Sequence, residues 1–306
     1  MFTRLFFGNP GKSFVKLINS KTPQNVEEKH LIISDQKMHV NLPRTLVRDY
    51  AWLKNNLSDV NFEELIISTR LDLLCDSERH ARLLLLRQIL ERKSVTVTFL
   101  SSIAVYGTNC ASISKETPVH PITNYGIQKL EFEDFLSQNQ GKNKLLIIRF
   151  TNLMNFKDEN SLPLKIFNEM VKPQIGKELV LSETRDLIYY REAVDATNRV
   201  IRKIRNEEVI EKKVLIMGSG VSIFIPKLVE LFRDSVKNLD EFCVKTSYTH
   251  PIPRVSIQTD NWCAAYGKEF RQYTEEELVE STLKNVHYRR DRYGKAYGDI
   301  TRRKLK

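Results

Sequence analysis

Residues 95–150 read VTVTFLSSIAVYGTNCASISKETPVHPITNYGIQKLEFEDFLSQNQGKNKLLIIRF. The stretch opens on a β-branched run (95–102) that closes with a serine pair. It then passes through a helical pattern (124–137) and ends on the apolar run 144–150. Strand, helix and strand in that order predict a crossover unit of a parallel sheet. The run LLIIRF is continuously apolar rather than alternating, as a strand covered on both faces should be. Working toward the N-terminus, the same pattern recurs. RLFF (4–7), HLIIS (30–34) and ELIIST (64–69) read as strands, FVKLI (14–18) as a helix, and 76–92 as a helix with LLLL at its centre. The prediction is an α/β chain built on a doubly wound parallel sheet. In such sheets the ligand lies beyond the carboxyl ends of the strands, so the residues to inspect are those just after each strand.

Composition excludes several other classes. The 306 residues are 41% hydrophobic and 28% charged, which rules out a disordered chain, a collagen-like fibre and a membrane bundle. No run approaches the roughly 20 apolar residues of a bilayer span. The apolar patch at the N-terminus is broken by Gly8 and Pro10 before a signal-peptide core could form. Cys75, Cys110, Cys243 and Cys263 show no C-x-x-C spacing, so neither a disulfide framework nor a zinc site is expected. The six histidines include no i, i+4 pair, and no metal is expected. These features predict a reduced, cytoplasmic, soluble protein without a membrane partner.

The net charge is 48 − 38 = +10, and residues 287–306 alone carry eight Lys/Arg against two Asp. The body of the chain is therefore only mildly basic, and nucleic acid is not an expected partner. The tail, with three tyrosines, reads as a solvated terminus. Arg199, Arg202 and Arg205 recur at helical spacing and read as a solvated helix face.

The first strand is followed by Gly8-Asn-Pro-Gly11-Lys12-Ser13-Phe14. Gly11-Lys12-Ser13 fits the end of a phosphate-binding P-loop, but the first glycine of that motif would fall on Phe6, so the wide loop cannot form. A dinucleotide turn of the form Gly-x-x-Gly-x-x-Gly places Gly8 and Gly11 correctly and meets Phe14 where the third glycine should allow close helix packing. Asp35 ends the second strand at the distance where an acid accepts hydrogen bonds from an adenosine ribose and repels a 2′-phosphate, which favours NAD over NADP. It also fits an ordinary loop acid.

The most informative constellation is Ser101-Ser102 at a strand end, followed by Tyr125-Gly-Ile-Gln-Lys129. Residues four apart share a helix face. A lysine ammonium there can lower the phenol's pKa, ordinarily near 10, while it binds a nucleotide ribose. A strand-end serine can hold the substrate oxygen against that phenol.

SSIAVYG (101–107), Pro121…Asn124-Tyr125…Lys129, Arg149-Phe-Thr-Asn152, RDLIYY (185–190) and GSGVS (218–222) stand in the order seen in extended short-chain dehydrogenases/reductases. The chain resembles the NAD-dependent epimerase/dehydratase branch that acts on nucleotide sugars, over residues 2 to 284. The resemblance implies a Rossmann-like doubly wound domain over 1–155, with parts of 185–225 returning to it. A smaller substrate domain lies mainly in 156–286, and 287–306 is a basic tail. It implies Tyr125 as acid/base, Lys129 as its tuning partner and ribose ligand, and Ser102 as donor to the substrate oxygen. Gly8, Gly11, Lys12, Asp35 and Ser68 fall on the cofactor side, and Asn152 and Arg185 on the substrate side. Arg149 has a supporting role. Trp262 and Phe270 are expected in the small domain, and the helices at 76–92 and 124–137 in a homodimer interface.

The 4,6-dehydratase members place an Asp-Glu pair directly after the catalytic hydroxyl residue. Here Ile103 and Ala104 stand there, and neither can move protons. Two reactions remain: epimerisation with a tightly held NAD, which Asp35 favours, or reduction of a keto sugar by a dissociable NAD(P)H. Phe14, the polar Ser68-Thr69-Arg70 and the absent relay asparagine, near whose place Glu78 falls, depart from the family pattern. His250 and Arg254 compete for the place of a diphosphate-gripping arginine. Those departures also fit a non-catalytic scaffold or sensor on the same fold.

Overall fold

The computed structural model describes residues 2–8, 29–34, 45–68, 74–92, 94–107, 112–114, 116–156, 161–171, 184–207, 212–235, 256–257 and 270–293. Gly11, Lys12, Phe14, Asp35, Thr69, Arg70, His250, Arg254 and Trp262, the helical pattern at 14–18 and the tail beyond residue 293 lie outside the described residues.

In chain order the first half holds β1 (Phe2–Phe7), β2 (His30–Ile33), β3 (Thr45–Arg48), α1 (Tyr50–Asn55), β4 (Phe62–Ile67), α2 (Asp76–Arg92) and β5 (Thr96–Ser102). A 3-10 turn (Ile103–Tyr106), β6 (Ser112–Ile113), α3 (Asn124–Gln138) and β7 (Lys144–Phe150) follow. The second half holds β8 (Asn152–Met154), α4 (Leu162–Val171), β9 (Thr184–Tyr189), α5 (Tyr190–Arg205) and β10 (Lys212–Met217). It closes with β11 (Ser222–Phe224), α6 (Ile225–Ser235), β12 (Ser256–Ile257) and α7 (Glu275–Tyr293).

Seven strands form one parallel sheet in the order β10-β7-β5-β4-β1-β2-β3. The chain winds outward in both directions from the β1–β4 pair, which is the doubly wound Rossmann-like topology predicted. The continuous apolar strands supply both faces. Leu5 and Phe7 of β1 and Leu145 and Ile147 of β7 pack under α1, α2 and α3. Phe6, Leu146 and Ile148 point the other way, under α5. Successive residues thus serve opposite cores, and a strand without polar alternation is the result.

Charges secure the foot of α5. Arg4 and Glu64 are register partners on β1 and β4, both fully buried and ion-paired. Arg205 reaches Glu64 at 3.2 Å, and Lys144 donates to the Arg205 carbonyl at 2.8 Å. Arg205 therefore does not belong to a purely solvated face, whereas Arg199 pairs with Asp195 on the surface at 3.6 Å. With its C-terminus fixed at the foot of the sheet, α5 presents its N-terminus to the carboxyl ends of the strands.

One residue past β7 the chain enters a second, three-stranded sheet, ordered β11-β9-β8. The pair β8–β9 is parallel and β9–β11 antiparallel. Residues of α4, α6 and α7 share a separate apolar core with it, including Met154, Phe167, Phe232 and Leu278. Phe270 is a correction: it packs with Phe6 and α5 on the large sheet and not in the small core. The tail is corrected in part, because α7 continues through Tyr293 and makes residues 287–293 helical. No helix among the described residues is long and apolar enough to cross a membrane.

Candidate active site

β5 ends on two serines that point to different tasks. Ser101 is buried, and its hydroxyl donates to Glu133 Oε1 at 2.6 Å. Ser102 stays extended and caps the following turn, its Oγ accepting from the Ala104 N–H at 3.2 Å. That bond leaves the hydroxyl hydrogen of Ser102 for another acceptor.

α3 begins at a Thr123 cap, whose Oγ1 accepts the Gly126 N–H at 3.1 Å. Tyr125 lies in the first turn and Lys129 one turn further on the same face. Gly126, between them, lets the helix touch the preceding turn, since a Cβ there would sit 2.4 Å from the Ala104 carbonyl oxygen. The Lys129 ammonium donates to the Leu100 carbonyl at 2.9 Å, 4.7 Å from the Phe99 ring centroid and 5.7 Å from that of Tyr125. Only 7% of Lys129 is exposed, so its charge acts in a medium that screens it poorly.

These side chains line a cavity of about 390 Å³ at the carboxyl ends of β4, β5 and β7. Ser68, Ser102, Tyr125, Lys129 and Asn152 all border it, and Phe150, Leu153, Tyr190 and Val194 give it an apolar wall. The structure thus brings five of the expected residues together. Gly8 stands at the head of β1 with φ of 101°, a region that glycine occupies without strain, and does not line the cavity. Arg185 is also outside the lining. It sits half-buried on β9, and among the described residues no carboxylate pairs with it. Burial holds its guanidinium below the ordinary arginine value. Glu78 is exposed and bonds the Cys75 backbone N–H at 3.3 Å, away from the cavity.

Two features of the site were not anticipated. The first is the carboxylate of Glu133, which binds Arg149 through Nε at 3.1 Å and Nη2 at 2.6 Å. Burial alone would lower Arg149, but the bonds and charge of Glu133, with Tyr106, raise it above its ordinary value. The second is Asp186, buried at the junction of the two sheets. It accepts from Thr151 Oγ1 at 2.9 Å and from the Ser219 and Gly220 N–H groups at 2.9 and 2.8 Å. Burial pushes its carboxyl up, against the pull of those donors. Both acids carried a faint signal: Glu133 repeats the Tyr125–Lys129 spacing once more, and Asp186 is a charge inside an apolar strand.

The donor set suits a polyol-bearing ligand. The Ser68 hydroxyl is buried, lines the cavity and has no partner among the described residues. Beside it stand an ammonium and a phenol, groups that bind ribose or sugar hydroxyls.

A doubly wound sheet, a cavity at the carboxyl ends of its strands and a Tyr-x-x-x-Lys helix facing a strand-end serine together form the arrangement that the sequence resemblance implied. Residues 69–214 match the model of the NAD dependent epimerase/dehydratase family. Among solved structures, the fold is similar to that of the Bordetella bronchiseptica enzyme WbmG in complex with NAD, with 16% identity, 96% of each chain covered and a TM-score of 0.70. Helicobacter pylori ADP-L-glycero-D-manno-heptose-6-epimerase matches at 16% identity over 94% of this chain and 96% of that one, with a TM-score of 0.68. dTDP-glucose 4,6-dehydratase from Bacillus anthracis, in complex with NAD, matches at 15% over 95% and 98%, also at 0.68. At such identities the likeness is one of fold. No curated protein matches the chain in sequence.

Proposed function

We propose that the protein is an NAD-dependent oxidoreductase of nucleotide sugars and works as an epimerase. The observation that carries this reading is the meeting of Ser102, Tyr125 and Lys129 in one cavity with the Ser68 hydroxyl, which has no partner among the described residues. Ser68, Tyr125 and Lys129 would hold the nicotinamide half of the cofactor. When bound, NAD supplies the acceptor and then the donor of a hydride.

The chain's own residues manage the proton and the geometry. Tyr125, as phenolate, takes the proton of the sugar hydroxyl as that carbon is oxidised and returns it on reduction. The buried Lys129 ammonium stabilises the phenolate. Its bond to Leu100 holds it in place, so little reorganisation accompanies the charge transfer. Ser102 keeps its hydrogen for the reacting oxygen, and Asn152 borders the same space. Ile103 and Ala104 offer no acid or base for eliminating water, which supports epimerisation over dehydration. Structural neighbours crystallised with NAD support the choice of cofactor. In this reading the small sheet and its helices form most of the substrate-binding unit. Arg185, without a carboxylate partner among the described residues, offers a cation for the substrate diphosphate, and the active form is a cytoplasmic homodimer. The free, exposed Cys75 fits a reducing compartment.

The test begins with the nucleotide released when the purified protein is denatured. Stoichiometric NAD, with interconversion of UDP-glucose and UDP-galactose or of another nucleotide-sugar pair, is the expected result. A protein that arrives empty but binds added NADH would be a keto-sugar reductase. One that binds neither NAD(H) nor NADP(H) would overturn the enzyme reading in favour of a scaffold. Tyr125→Phe should abolish turnover and leave the fold intact, and retained turnover would overturn the mechanism.

A further inference from the structure

Two strands converge on one carboxylate of α3 that does not border the cavity. Glu133, 1% exposed, takes the Ser101 hydroxyl of β5 at 2.6 Å and the Arg149 guanidinium of β7 at 2.6 Å. Arg149 passes the connection on, its Nη1 donating to the Tyr106 hydroxyl at 2.7 Å with the guanidinium 4.9 Å from that ring centroid. Tyr106 closes the 3-10 turn that Ser102 opens. Every member of this network is therefore tied to the cavity along the chain, and Ser101 lines it directly. Ser101 precedes Ser102, Tyr106 ends the turn capped by Ser102, and Glu133 lies one and two helical turns beyond Lys129 and Tyr125.

Stability alone does not account for an ionic network here. A buried ion pair gives up hydration on both sides, and a well-packed apolar pair of similar volume often holds a core as well or better. What the apolar pair lacks is direction. Leucine-like contacts let a helix slide or roll against a strand, whereas a carboxylate bonded from two strands fixes it in three dimensions. The second tie, Lys129 to the Leu100 carbonyl, lies one turn nearer the cavity and sets the same register.

We propose that Glu133 is a positioning residue: through Ser101 and Arg149 it fixes the register of α3 on β5, and so the approach of Tyr125 and Lys129 to Ser102. The kinetic part of this inference rests on the oxidoreductase reading above, and the structural part does not.

Two variants separate geometry from stability. E133M/R149M replaces the network by apolar packing without changing net charge. Its melting temperature should equal or exceed that of the unsubstituted protein. Its kcat with UDP-glucose, or with whichever nucleotide sugar the protein turns over, should fall roughly 10- to 100-fold, as misplacements near 1 Å do, with KM within about twofold. Glu133→Gln keeps Oε1 on Ser101 and on Arg149 Nε, so kcat should stay within about threefold while the unpaired guanidinium lowers the melting temperature. Activity and stability then move in opposite directions between the two variants. If kcat instead follows melting temperature in both, Glu133 is structural only and the proposal is overturned.

Should the double variant fail to fold, Ser101→Ala decides. It removes one tie and leaves the ion pair, and an unchanged kcat would overturn the proposal where a drop of about tenfold supports it. Should the protein turn over no sugar, the function reading fails by itself. Crystal structures of the unsubstituted protein and Ser101→Ala then judge the positioning claim. A widened Ser102–Tyr125 separation supports it, and an identical one overturns it.

Discussion

A methyl group at position 126 has nowhere to go: it would stand 2.4 Å from the Ala104 carbonyl oxygen and 3.1 Å from Pro121 Cβ. Gly126→Ala must push α3 off the turn that follows β5, at about 1–3 kcal/mol. The displaced residues flank the phenol and the ammonium, so turnover should fall together with the melting temperature, by calorimetry and initial rates. Arg185 gives a prediction of opposite sign. It is a half-buried cation without a carboxylate partner among the described residues, and burial already disfavours its charge. Arg185→Met should therefore stabilise the ligand-free protein, by about 1 kcal/mol, and remove the rise in melting temperature that UDP confers. An equal UDP shift in both proteins would remove Arg185 from the diphosphate site. At this scale the sequence pointed to the meeting of Ser102, Tyr125 and Lys129, because it depends on a strand end and on a spacing that a helix fixes. It did not announce Glu133 or Asp186, whose roles depend on which strands end beside them.

Asp186 acts between elements. From β9 its carboxylate binds Thr151, just past β7, and the loop after β10, and it joins the large sheet to the small one. Asp186→Ala leaves the buried Ser219 N–H and the part-buried Gly220 N–H without this acceptor, a loss of about 3 kcal/mol in chemical unfolding at neutral pH. Burial raises the carboxyl above its ordinary range. A raised folded value means that the native protein keeps its proton after the unfolded chain has released it. This group's contribution is then fully present below the unfolded value of about 4 and is lost as pH rises through the folded one. The gap between the unsubstituted protein and Asp186→Ala should be wider near pH 4 than at pH 7; a gap wider at pH 7 would mean that the donors outweigh burial. The elements themselves were legible where they are long or buried on both faces, as in α2 (Asp76–Arg92) and β7 (Lys144–Phe150). The edge strand β3, TLVR, has no fully buried residue, and β8 and β11 have three residues each, too short for periodicity to register.

The whole molecule leaves one face to account for. α2 and α3 cover the same side of the sheet, and the expected homodimer would pair their outer surfaces with those of a second copy. That surface is mixed. Leu84 on α2 and Ile127 on α3 are 47% and 39% exposed, with Ile122, 53% exposed, just before α3. Around them lie polar groups, among them the Arg87–Glu91 pair at 2.9 Å and the exposed Glu131 and Asp134. A standard interface buries about 800 Å² per partner and draws its strength from a few apolar or aromatic anchors. Two or three aliphatic anchors among charges would give, if this face pairs, a reversible dimer with dissociation in roughly the micromolar range. Light scattering across a dilution series should therefore follow the mass from dimer toward monomer. Ile127→Glu, and separately Leu84→Glu, should give a monomer at every concentration, because each buries a like charge against its symmetry mate. Both positions are solvent-exposed in the protomer, so neither change should alter the melting temperature measured under monomeric conditions by more than about 0.5 kcal/mol equivalent. A mass that stays monomeric at the highest concentration would remove this face from the assembly.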